Sequence, residues 1–126
     1  MSRSDVNTWL KELQDGRLIH DQHFEGLDIE AYLDKRDEAP FADEWMQAYE
    51  RYAGEPAAAE DEVLRQIRET AFKQTISLTG DPEIAGYVSD DFGLIGHFLL
   101  QEEVIEDTFV HQLLESYRQG TLPLRS

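Results

Sequence analysis

The spacing with the clearest chemical content is Asp90-Asp91 followed by His97. On a helix, Asp90, Gly93 and His97 share one strip at i, i+3 and i+7, and the glycine leaves a notch between carboxylate and imidazole. Such a pair can pass a proton, or with a further ligand hold a divalent cation. At 1.5 Å of rise per residue, however, the two side chains stand about 10 Å apart along the axis. A third group would have to close that gap. The favoured reading is structural, with His97 at the edge of a core and the aspartates as helix caps. A small metal-assisted enzyme using Asp90, Asp91 and His97 is kept as an alternative. No catalytic residue, metal ligand or cofactor is assigned.

The second constellation is His20-Asp21-Gln22-His23. Two imidazoles and a carboxylate in four residues suit a metal, but nothing places them on a helix at i and i+4, and no second cluster has a matching spacing. They read as an exposed loop. Glu30 and Glu69 stand alone, and Glu103-x-x-Glu106 has no counterpart on another helix, as a di-metal bundle site would require. The chain contains no phosphate-binding loop, dinucleotide fingerprint, nucleophile elbow or H-E-x-x-H pattern.

A different kind of chemistry is suggested by the distribution of charge. From Gln74 to Tyr117 there is no Lys or Arg, while nine carboxylates occur. Such a stretch would steer a basic partner and speed its association in a salt-dependent way. Asp90, Asp91, Glu102, Glu103, Glu106 and Asp107 are the expected acidic face, with Glu102, Glu103, Glu106 and Asp107 as the steering group. Capping of helices by Asp81, Asp90, Asp91 and Asp107 is the competing structural reading. The aromatic run Phe41, Trp45, Tyr49, Tyr52 has helical spacing and reads first as core. Trp45, Tyr49 and Tyr52 are also candidate anchors at an interface.

Helices must position these groups, because apolar residues recur at helical spacing and period-2 alternation is nearly absent. A first helix is expected from about Asp5 to Asp15, capped by Ser4, with Val6, Trp9, Leu10 and Leu13 on one face. Residues 17–27 read as a loop, or as a short extended piece at Arg17 to His20. A short helix after Asp28 carries Ile29, Tyr32 and Leu33. Pro40 is expected as the first residue of the next helix, which ends at Gly54. Gly54-Glu55-Pro56 reads as a hinge between residues 1–54 and 57–126. A fourth helix is expected from Ala57 to Thr79, and Asp81-Pro82 opens another. Within 83–101, Gly86, Gly93 and Gly96 weaken a helix by about 1 kcal/mol each. A break at Ser89 is favoured over a small-residue strip that admits another helix. The last helix runs from Thr108 to Gln119.

Composition sets the outer limits. The chain has 126 residues, with 11 Lys and Arg against 27 Asp and Glu, a formal charge of −16. At 40% hydrophobic it can build one core. The acidic excess argues against direct nucleic-acid binding and against an anionic membrane surface. There is no cysteine, hence no disulfide and no thiolate chemistry. No apolar run exceeds three residues, and the expectation is a soluble cytoplasmic protein. The expected fold is all-α, a compact single-domain bundle of five or six helices. The expected function is a protein-binding module that docks a basic partner through its acidic C-terminal face. Small acidic helical immunity proteins, which neutralise basic toxins, share this size and charge. That is an analogy of physical type, carried by no residue motif. An adaptor, or a DNA mimic whose carboxylates imitate phosphates, are the other readings, and self-association is left open.

Overall fold

Four of the carboxylates that dominate the composition start helices. A computed structural model describes residues 3–53, 61–101 and 107–124. Among them are seven helices and no strand: α1 (Arg3–Gln14), α2 (Asp21–Phe24), α3 (Ile29–Arg36), α4 (Phe41–Tyr52), α5 (Glu62–Thr79), α6 (Pro82–Leu99) and α7 (Thr108–Arg118). Asp28, Asp61, Asp81 and Asp107 each accept hydrogen bonds from first-turn amides of the helix that follows. Those amides have no partner inside the helix, so each cap stabilises its helix by about 1 kcal/mol. At the far end of α5, Gly80 takes a left-handed φ of 71°, which closes the helix and turns the chain into α6.

The central layer is the pair α5 and α6, two antiparallel helices of 18 residues each. Their contact explains why α6 does not break at Ser89. The Ser89 hydroxyl stays within the helix and donates to the Arg68 carbonyl of α5 at 2.9 Å. A Cβ on Gly93 would lie 2.7 Å from Arg68 Cδ, and one on Gly96 would lie 2.6 Å from Leu64 Cδ2. Ser89, Gly93 and Gly96 therefore form the small-residue strip, and α5 packs into it. The helix propensity given up at these glycines is offset by a close approach that larger residues would prevent.

The remaining helices pack around this pair. Val6, Trp9 and Leu13 of α1 are fully buried. Trp9 stacks on Phe92 with ring centroids 5.1 Å apart, and Phe92 meets the edge of Tyr117 at 4.6 Å. Side chains such as Leu13, Ile67 and Ile95 are fully withdrawn from water, each contributing roughly 1.5–3 kcal/mol of transfer free energy. The core thus includes α1 as well as α5, α6 and α7. No helix among the described residues is long and apolar enough to cross a membrane.

Several local expectations are corrected. Ser4 lies inside α1 rather than capping it. Pro40 caps α4, and Phe41 is its first helical residue. Asp61 has an extended backbone (φ −65°, ψ 124°), so α5 starts at Glu62 rather than Ala57. The expected hinge at 54–56 lies outside the described residues. Residues 17–27 contain no strand; His20 is extended, but as the residue that opens the helical turn α2 at 21–24.

Candidate functional site

The two aspartates of α6 have different surroundings. Asp91 is fully buried. Arg36, at the end of α3, donates to both its oxygens at 2.7 and 2.6 Å. The Trp45 indole of α4 donates at 2.9 Å and the Tyr117 hydroxyl of α7 at 2.6 Å. The Arg36 guanidinium lies between the rings of Phe41 and Tyr87, 5.2 Å from each centroid. Burial pulls its pKa down, but the charge and hydrogen bonds of Asp91 outweigh this and hold it above the ordinary arginine range. Burial, with Asp91 second, pushes the Tyr117 phenol well up, so it stays a donor. Asp91 is therefore a hub joining α3, α4, α6 and α7, with no part in an exposed acidic face. Arg36 was not singled out in the sequence. The available signal is that Tyr32, Leu33 and Arg36 share one face of a short helix, which puts a charge at a core position.

Asp107 is also turned inward. Its carboxylate caps α7 through the Val110 amide at 3.1 Å, accepts the Tyr52 hydroxyl at 2.7 Å, and pairs with Arg51 at 3.1 Å. Burial raises its pKa, but the hydrogen bonds from Tyr52 and Val110 together with Arg51 bring the net shift downward. Tyr52 is buried against the edge of Phe98, so it is a core residue and not an exposed anchor. Glu102, Glu103 and Glu106 lie outside the described residues.

His20 and His23 do not form an exposed loop. His23 is fully buried. Its Nε2 is 2.9 Å from the Tyr117 carbonyl and its Nδ1 accepts the His20 amide at 3.1 Å, which fits the neutral Nε2–H tautomer. Asp90 and His97 line one cleft, but Asp91 is turned away from them into the core. Asp91 points to Arg36, and the notch at Gly93 holds the Arg68 methylenes. Among the described residues, no group of three His, Cys, Asp or Glu is placed to hold a metal.

What the surface does present is a ridge on α4. Trp45 and Tyr49 stack with centroids 5.7 Å apart and planes 13° from parallel. Met46 is 51% exposed and Tyr49 43%. This follows from helical spacing: Ala48 and Tyr52 face the core, Trp45 is half-buried against it with its indole on Asp91, and Met46 and Tyr49 are left on the outer flank. A cleft lies on either side. One, of ≈ 320 Å³, is lined by Trp45, Tyr49, Arg68, Asp90 and His97. The other, of ≈ 300 Å³, is lined by Arg36, Asp37, Phe41, Trp45, Tyr87 and Asp90. Met46 borders both.

Asp90 borders both clefts and is the exposed member of the aspartate pair. It makes no hydrogen bond or ion pair among the described residues. Its pKa is raised, first by desolvation and then by the adjacent Asp91 charge, against the pull of Arg36 and Arg68. His97 lies in the wall of the first cleft, and its Nδ1 has no partner among the described residues. Burial and then the Arg68 cation push its pKa down, opposed by Asp61. An exposed aromatic and methionine ridge beside an unpaired carboxylate has the composition of a docking face, since Trp, Tyr and Met are enriched where proteins bind proteins.

Comparison with known proteins agrees with that class of role. A family model described as Immunity protein PIM1 matches residues 8–124. Among curated proteins no match is found. The matched span takes in every helix from within α1 to the end of α7, and this chain belongs to the PIM1 family of immunity proteins.

Proposed function

We propose that this immunity protein neutralises a basic protein toxin by docking it on the face formed by α4 and α6. Membership of an immunity family implies a protein partner, and the charge of −16 favours a basic one. The observation that carries the location is the ridge of exposed Met46 and Tyr49, with half-buried Trp45 stacked on Tyr49, beside Asp90, which has no partner among the described residues. Asp90 and the carboxylates at 102, 103 and 106 steer the encounter, and the ridge then loses water against the partner. Asp91 and Asp107 act indirectly, by fixing the helices that carry the ridge. Their burial also removes two carboxylates from the array a DNA mimic would need.

The test starts with immobilised chain and an extract of the producing cells at low and high salt. A captured protein is identified, then produced alone and together with this chain while growth is followed. The expected result is a basic protein, held less well at high salt, whose toxicity the chain relieves. A Met46→Asp, Tyr49→Ala double variant should fold and lose both capture and relief. Equal protection by that variant, or a partner that is not basic, would overturn the proposal.

A further inference from the structure

The two clefts beside the ridge differ in charge. The cleft bordered by Arg68 and His97 already contains an exposed cation, since Arg68 makes no ion pair among the described residues. The cleft between α3, α4 and α6 holds two carboxylates, Asp37 and Asp90. Its only cation, Arg36, is 5% exposed and bound through two nitrogens to Asp91. Asp37 accepts the neutral Tyr87 hydroxyl at 2.9 and 3.1 Å, which orients the carboxylate without cancelling its charge. The walls are aromatic: Phe41, Trp45 and Tyr87.

We infer that this second cleft is the acceptor for an arginine side chain of the basic partner, with Asp37 and Asp90 as its counter-ions and the aromatic rings as its walls. The inference rests on the docking reading above and adds the chemistry of the group that enters. Arginine suits the cleft better than lysine. Its planar guanidinium can lie along a ring while its fork of donors meets carboxylates, and it is less strongly hydrated than an ammonium group. Two of these rings, Phe41 and Tyr87, already hold the Arg36 guanidinium between them, with its charge met by Asp91, which shows that the wall accepts this group. The other cleft would repel a cation through Arg68, so the contrast across the ridge also fixes the direction in which the partner docks.

The test needs no toxin. Uniformly ¹⁵N-labelled chain is titrated with Nα-acetyl-arginine amide, and separately with Nα-acetyl-citrulline amide, which has nearly the same shape and no charge. The Trp45 indole N–H reports on the cleft and the buried Trp9 indole serves as the reference. The arginine compound should give a saturable shift at Trp45 and Tyr87 that citrulline does not reproduce. Asp37→Asn or Asp90→Asn should each weaken it by up to about fivefold, as for one solvent-screened ion pair. Arg68→Gln should leave it within about twofold, because that side chain lines the other cleft. Absence of a saturable shift, an equal response to citrulline, or indifference to both Asn variants would overturn the inference. A chain that relieves the toxin but ignores the arginine compound refutes the cleft and keeps the docking proposal. One that binds the compound but relieves no toxin does the reverse.

Discussion

Asp90 and Asp91 are adjacent in the chain and differ in almost everything physical. One helical step, a rotation of 100°, places Asp91 among four donors in the core and Asp90 at the surface with none among the described residues. The buried carboxylate is fully satisfied, and its effect is to hold four helices in register. The exposed one has a raised pKa and no counter-ion among the described residues, beside two clefts and an apolar ridge. A carboxylate that has all its donors serves the fold, and one that lacks them is available to a partner.

Removing Asp91 should produce the largest effect. Asp91→Ala leaves the Arg36 charge buried without its counter-ion, a change that costs about 3–5 kcal/mol. In urea unfolding the midpoint should fall accordingly, and a loss below about 1 kcal/mol would break the contrast with Asp90. Asp107→Ala is an intermediate case. It removes a helix cap and the Tyr52 and Arg51 contacts, but Arg51 is 58% exposed at its side chain and can return to water. The same unfolding measurement should show about 1–2 kcal/mol.

The imidazoles extend the comparison to pH. Both His23 and His97 have folded-state pKa values below the ordinary 6.5, in each case chiefly through burial. The unfolded chain then binds protons that the folded chain refuses. The stabilisation is complete above pH 6.5 and is lost as pH falls through the depressed folded values. Melting temperature should therefore drop from pH 7.5 towards pH 5 with a flatter slope in His97→Gln; parallel curves would count against this account.

Asp90 should show the smallest effect on stability. Its folded pKa lies above 3.8, so whatever favours folding is present while it is protonated and is lost as pH rises through that raised value. At neutral pH its ionisation opposes folding, and Asp90→Asn should melt at or slightly above the wild-type temperature. A clear fall in melting temperature would mean that Asp90 has a structural partner after all.

These positions also show how far the sequence could be read. Helix caps at Asp81 and Asp107 were legible from an aspartate before an apolar period, but the same reading failed at Asp90 and Asp91, which lie inside α6. The stacked Trp45–Tyr49 pair and the small-residue strip at Ser89, Gly93 and Gly96 were visible as patterns. Whether that strip marked a break or a close contact depended on Leu64 and Arg68 of another helix, which local spacing does not encode. Asp91 and Arg36 pair across 55 residues, and charge density along the chain cannot separate a core aspartate from its exposed neighbour. His23 was misread for the same reason, since its partner is the carbonyl of Tyr117, 94 residues away. The acidic stretch was therefore a poor guide to which carboxylates lie at the surface, since Asp91 and Asp107 are buried.

The central claim is that the partner docks at Asp90 and the α4 ridge. The most direct measurement is the association rate of the captured basic partner with wild type and with Asp90→Lys, over a range of salt concentrations. Slower association at low salt, rates that converge as salt rises, and an unchanged melting temperature are the predicted result. Equal association rates for the two proteins at low salt would contradict it.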